Sequence, residues 1–254
     1  MDGMTKMIAL LFGTVCFFTA TCRATVRPVD AKCEYRTNPL GIETRSPRLN
    51  WAIDAEGRGT RQTAYRILVA SSRDQLKPGK ADMWDSGRVE SDRALNVPYA
   101  GSRLRSGERY WWKVRVWTSA DTYPDASSGY TDRVSQWSKP ACWSMGLLRS
   151  RDWKAEWIAH PELPDGSGPM PIFRTEFSTD KEVERAVAYL SGLGHYELFL
   201  NGTKAGRGML QPAWSDYEEE VYYNVYDVTD SLRSGLNALG VMLGNGFFHV
   251  AGGR

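Results

Sequence analysis

Apolar and polar positions alternate along much of this chain, and no stretch sustains the 3.6-residue spacing of a helix for a useful length. The pattern is clearest from Tyr110 to Trp117. Tyr110, Trp112, Val114 and Val116 fall on one face, and Trp111, Lys113, Arg115 and Trp117 on the other, as in a strand laid against a core. Tyr65, Ile67 and Val69 repeat the pattern. Shorter candidates lie at Arg48 to Ile53, Met83 to Ser86 and Arg93 to Val97, separated by Gly57, Gly59, Pro78, Gly79, Gly87, Gly101 and Gly107. This spacing predicts an all-β sandwich of about seven strands. The run PDASSG, between Tyr123 and Tyr130, reads as a polar hairpin tip.

The second half continues with strands at Ile172 to Phe177, Ala186 to Leu190, Tyr196 to Leu200, Val221 to Tyr226 and Asn237 to Leu243. Asn201-Gly202 reads as a hairpin turn, because both residue types tolerate positive φ and a primed turn matches the twist of its strands. The same pair opens an Asn-Gly-Thr glycosylation sequon, which the turn already accounts for. Between the halves, CWSMGLLRSRDWKAEWI interrupts the strand pattern without the Gly/Ser composition of a loose linker. Trp153 and Trp157 are therefore expected to pin the halves at a fixed angle. The organisation read from the chain is a leader at 1–24, one sandwich at 25–146 and a second at 147–254.

Composition narrows the class. With 254 residues, 42% hydrophobic and 24% charged, the chain has room for two globular domains. Its 32 Lys and Arg are scattered among 30 Asp and Glu, so no basic stripe points to nucleic acid. The ten tryptophans fall largely in strand-like segments and read first as sandwich core. Lys6, an apolar run from Met7 to Ala20 and small residues ending at Cys22, Arg23 and Ala24 form a secretory signal too short to span a bilayer, which places the protein outside the cytoplasm, secreted or periplasmic. Cys22 offers lipid attachment as the alternative, with Thr21 a poor residue before it. Beyond this leader stand Cys33 and Cys142, whose spacing is compatible with a disulfide or with two thiols.

No residue pattern points to catalysis within the chain. His160, His195 and His249 lack metal-ligand spacing, and HExxH, CxxC, G-x-S-x-G and phosphate-loop patterns do not occur. The G-x-G pairs at Gly192 and Gly244 read as strand turns. Asp216, Glu218, Glu219 and Glu220 read as solvated hairpin charges rather than as a facing carboxylate pair. Carbohydrate contact remains: flat aromatic faces stack on sugar rings while Asn, Asp and Tyr satisfy hydroxyls. Trp214, Asp216 and Tyr217 in PAWSDY form one candidate edge, and Asn245 and His249 a second loop. The competing reading is that both loops are conformational and pack against another domain.

The phrases YELFLNG, PAWSDY, YDVTDSL and NALGVMLGNGFF together resemble the amino-terminal β-sandwich of bacterial α-L-rhamnosidases, glycoside hydrolase family 78. NPLGIET, PRLNW, WDSGRV and the joint leading through DW to WI resemble the preceding domain of the same family, and Trp51, GERYWWKVRVW and SQWS give that domain the look of a fibronectin type III module. The resemblance implies a jelly-roll sandwich after the fibronectin-like one. A jelly roll takes about eight strands, and about six are legible before Arg254, so the second domain is expected to be unfinished and its edge to need covering. It further implies an inverting hydrolase of terminal rhamnose whose acid and base lie in a helical (α/α) barrel downstream. The implied partners are a rhamnose-containing glycan and that barrel. No cofactor is called for, although similarity to calcium-dependent rhamnose-binding modules makes calcium conceivable without a matching acidic pair. A stand-alone binding or adhesion module is the rival, and a neighbouring β-galactosidase-like family a third reading that leaves NPLGIET and the joint unexplained.

Overall fold

A computed structural model describes residues 26–56, 59–119, 133–161 and 169–249. The expected leader at 1–24 and the PDASSG loop lie outside the described residues. The first half contributes, in chain order, β1 (Val26–Cys33), β2 (Arg48–Ala55), β3 (Arg61–Ala70), β4 (Trp84–Asp85), β5 (Val89–Glu90), β6 (Val97–Pro98), β7 (Arg109–Ser119), β8 (Arg133–Val134) and β9 (Ala141–Ser144). One sheet is ordered β1-β2-β6. The other is ordered β4-β3-β7-β8, with β5 on β3 and β9 on β7. The two sheets enclose a core built around Leu49, Trp51, Ile67, Val69, Trp112, Val114, Val116 and Trp143, which makes this half a β-sandwich.

β7 buries the face its alternation predicts. Tyr110, Trp112, Val114 and Val116 are buried, while Trp111, Lys113, Arg115 and Trp117 are only half covered. Cations cover the outer indoles: Arg73 lies 5.7 Å from the Trp111 ring, Arg88 4.9 Å from Trp117, and Arg115 4.5 Å from Trp137. The Ser135-Gln136-Trp137-Ser138 stretch follows β7 with side chains as well as backbone, since Val116 N–H donates to Ser135 Oγ at 3.0 Å and Val114 N–H to Ser138 Oγ at 3.1 Å. Inside the core, Gln62 accepts from Trp51 Nε1 at 3.0 Å and donates to the carbonyls of Ser91 and Arg93, so its burial leaves no polar atom stranded. Those contacts hold residues 91–96 as an extended loop. The expected strand at Arg93 to Val97 shrinks accordingly to the two residues of β6.

The second half contributes β10 (Ile172–Thr179), β11 (Val187–Ser191), β12 (His195–Leu200), β13 (Thr203–Lys204), β14 (Tyr223–Asp227) and β15 (Gly235–Gly244). One sheet is ordered β10-β15-β12-β13, and β11 pairs with β14 in a second. Tyr196, Leu198, Leu200, Tyr226 and Val228 are the buried centre between them. All-β architecture thus holds through both halves. Asn201 and Gly202 turn β12 into β13 with φ of 50° and 82°, the positive pair that a two-residue hairpin needs. Asn201 also donates to Ser231 O and to Asn237 Oδ1 and accepts from Ala238 N–H, which ties the hairpin tip to β15.

The halves meet through the β11/β14 sheet. Tyr223 takes the Leu147 N–H at 2.9 Å on its hydroxyl and stacks at 5.8 Å from Trp153. Arg109 and Asp227 pair at 2.9 Å, and Arg185 donates to Gly107 O and Ser144 Oγ. A Cβ on Gly146 would stand 2.5 Å from the Tyr223 hydroxyl, so only glycine admits this approach. Trp153 packs at this junction as expected. Trp157 does not: it is 63% exposed and lines an open cleft with Tyr189, while the ring contact with Tyr223 is made by Trp153. Cys33 and Cys142 are free thiols, the first buried and the second half-buried.

Candidate functional site

The PAWSDY loop, residues 212–217, leaves the edge of β12. Tyr196 N–H donates to Gln211 O at 2.7 Å, and the Gln211 side chain accepts from the Tyr226 hydroxyl at 2.6 Å, which anchors the loop's root in the core. Pro212 is buried after a cis peptide bond. Ser215 is buried and donates to Glu220 O at 2.8 Å, closing the loop on itself. Asp216 accepts the Glu218 N–H on its carboxylate at 3.2 Å, while its carbonyl takes the N–H groups of Glu219 and Glu220. One carboxylate oxygen is therefore spent on the turn. Glu218, Glu219 and Glu220 follow it on the exposed surface.

Trp214 points outward and is 65% exposed. Its ring lies 6.3 Å from that of Phe247, which is itself 62% exposed and sits in the 3-10 turn Gly246–His249. Tyr217 meets the neighbouring Phe248 edge to face at 5.6 Å. The two loops singled out in the sequence thus form one surface, joined by Phe247 and Phe248, which the sequence reading had not named. His195 completes the group, with its ring edge-on to Phe247 at 6.2 Å and its Nδ1 buried without a partner among the described residues. Asn245 is exposed beside this turn, and the backbone of His249 ends it.

The second loop is held by backbone contact. A Cβ on Gly194 would meet Gly244 O at 2.3 Å, and one on Gly246 would meet Gly194 Cα at 2.9 Å, both at positive φ. Below it opens an apolar cleft of about 430 Å³, walled by Trp153, Trp157, Phe173, Leu190, Val241 and Leu243, with Asn245 and Phe248 at its rim. Rigid aromatic faces beside a few amide and carboxylate groups can stack on a sugar and satisfy its hydroxyls. The same face can seat another protein surface, since Trp157, Ile158, Met170 and Ile172 are exposed nearby. Among the described residues, no group of three or more His, Cys, Asp or Glu side chains is gathered as a metal site.

Residues 28–149 match the family described as Rha78A-like, N-terminal immunoglobulin domain, and residues 181–254 match the alpha-L-rhamnosidase N-terminal domain. The immunoglobulin description suits the first sandwich, of which fibronectin type III modules are a variant. An alpha-L-rhamnosidase of Formosa agariphila is 42% identical over 234 residues, 84% of this chain. The solved alpha-L-rhamnosidase from Dictyoglumus thermophilum superposes with a TM-score of 0.77 at 37% identity, covering 87% of this chain. That from Aspergillus terreus gives 0.66 at 29% identity over 88%. The chain spans 23% of the Formosa relative's length and 25% and 24% of the two solved chains. The chain belongs to the α-L-rhamnosidase family, of which it carries the two amino-terminal domains.

Proposed function

We propose that this chain is the exported, non-catalytic front portion of an inverting α-L-rhamnosidase that removes terminal α-L-rhamnose from glycans or glycosides. The observation that carries this reading is that 84% of the chain aligns with an alpha-L-rhamnosidase while filling 23% of that protein's length. Residues 1–24 are its leader, and the division into 25–146 and 147–254 separates its two sandwiches. Export ends in secretion or the periplasm, with a lipid anchor at Cys22 as the less favoured variant. The exposed apolar face around Trp157, Ile158 and Phe247 supports docking of a downstream barrel that carries the acid and base. Trp214, Asp216, Tyr217, Asn245 and His249 form a carbohydrate edge beside it.

Binding at this edge orients the glycan and adds affinity without taking part in bond cleavage. A second reading, a stand-alone carbohydrate-binding module, is favoured by one observation, the paired exposed rings of Trp214 and Phe247. The enzymatic reading is tested on the product of the whole reading frame that contains this chain, assayed for release of L-rhamnose with the anomer followed by proton NMR. Rhamnose first released with inverted configuration is the expected result. Retained configuration overturns the inverting mechanism, and no release favours the binding module.

A further inference from the structure

A second concave surface lies away from the aromatic edge. It is a cleft of about 1060 Å³ between the end of β3, the segment leading into β7 and the interdomain connection. Five cationic and three anionic side chains line it. Two of the three carboxylates are already engaged. Asp152 is held by Arg149 at 2.9 Å and by Ser106, and Asp82 takes the Ser71 N–H at 2.9 Å and hydroxyl at 2.6 Å. Arg103, Arg105 and Lys154 have no carboxylate partner among the described residues, and Arg45 reaches only the Leu148 carbonyl, at 3.4 Å.

Several arginines elsewhere on this surface are paired, Arg27 with Asp54, Arg48 with Glu34, Arg66 with Asp85 and Arg174 with Glu176, whereas exposed Arg61 and Arg93 stand singly among the described residues. What sets Arg103, Arg105 and Lys154 apart is that they line one hollow. Gathering unpaired cations in one hollow costs electrostatic free energy, which an incoming anion relieves. The wall that presents them is fixed. Arg103 and Arg105 are exposed on either side of buried Leu104, and Arg105 N–H donates to the buried Tyr110 hydroxyl at 2.9 Å. Leu148 N–H donates to Ser106 Oγ at 2.9 Å, and Gly107 N–H to Gly146 O at 3.1 Å, so the connection and the loop form one rigid rim. Guanidinium forks match the planar or tetrahedral oxygens of carboxylate and sulfate. The volume exceeds what a bare ion fills and suits a sugar carrying one.

We propose that this cleft binds an acidic saccharide, recognised through a carboxylate or sulfate ester by Arg103, Arg105 and Lys154. The saccharide part rests on the rhamnosidase reading, whereas the oxyanion part does not. The test is calorimetric titration of the protein at low salt with a rhamnose disaccharide bearing a uronate, its neutral methyl ester, a sulfated counterpart and inorganic sulfate. The expected result is binding of the uronate or the sulfated sugar at least tenfold tighter than of the neutral ester. Arg103→Ala/Arg105→Ala abolishes that preference, while Arg61→Ala, at the far end of β3, keeps it. Equal binding of acid and ester, or a preference that survives the double variant in a protein of unchanged melting temperature, overturns the cleft. Inorganic sulfate bound through Arg103 and Arg105 with no preference for acidic sugars overturns the saccharide assignment and points the failure at the rhamnosidase reading. An oligonucleotide bound as tightly as the acidic sugar overturns it likewise.

Discussion

Replacing Tyr223 by Phe removes one oxygen from the junction between the two halves and leaves the ring in place. That oxygen accepts the Leu147 N–H at 2.9 Å and donates to Glu43, while the ring keeps its contacts with Trp153 and Tyr189. Burial, and then the bond to Glu43, push the phenol's pKa upward, so the group works as a neutral donor and acceptor. Losing it leaves the partly covered Leu147 N–H without its partner, while the exposed Glu43 carboxylate turns to water, which together costs about 0.5–1.5 kcal/mol. For a chain of this size, each kcal/mol lowers the melting temperature by about 2–4 °C. Tyr222→Phe is the matched control, since its hydroxyl donates to Glu220 at the surface and its loss is expected to cost under ~0.5 kcal/mol. Scanning calorimetry of the two variants decides the matter: Tyr223→Phe lowers the transition or splits it in two, and Tyr222→Phe does neither. Equal effects from both would refute the argument that the Tyr223 hydroxyl couples the domains.

Trp214→Ala is expected to weaken binding of rhamnosides about two- to tenfold by removing one stacking face, and unchanged affinity in titration calorimetry excludes the platform. Asn201→Ala forfeits the bonds to Ser231, Asn237 and Ala238 at a positive φ of 50° and should cost about 2–4 kcal/mol in urea unfolding, against little for a substitution at exposed Thr203. Hydrogen bonds from Arg48 and Arg66 hold the Glu34 and Asp85 carboxyls below their ordinary pKa values. The stability they lend is therefore present above about pH 4 and is lost as pH falls through their lower folded values. Glu34→Gln/Asp85→Asn should flatten the acid limb of the unfolding midpoint between pH 6 and pH 2, and an unchanged limb contradicts the assignment. Burial raises the pKa of both the Cys33 and Cys142 thiols; both should resist iodoacetamide at pH 8 in the native protein and react in urea, as read by peptide mapping.

β7 was legible because a single core covers one of its faces, so alternation and burial coincide residue by residue. Its outer tryptophans were legible as aromatic but not as covered, since the cations over them come from Arg73 and Arg88 on distant segments. Arg93 to Val97 looked like a strand by composition. Gln62 donates to the carbonyls of Ser91 and Arg93, and Asn96 adopts a φ of 55°, so apart from the Trp51 N–H to Ala94 O bond the ladder with β2 begins only at Val97. Trp153 and Trp157 are indistinguishable in sequence, and the contact with Tyr223, distant along the chain, is made by Trp153 alone of the two. The PAWSDY and GNGFF loops were each recognisable from their residues. Their meeting was not, because Trp214 and Phe247 approach only after β14 and β15 have folded back across the sheets. The basic cleft was invisible for the same reason, its wall being assembled from five separated stretches of the chain.

The proposed role is to contact glycan and support a catalytic domain without cleaving. It is tested most directly by incubating purified residues 25–254 with a chromogenic α-L-rhamnoside while rhamnose binding is measured in parallel. No turnover above buffer is the expected result, whether or not sugar binds. Turnover that survives rigorous purification would contradict the proposed role and place the acid and base within these two sandwiches.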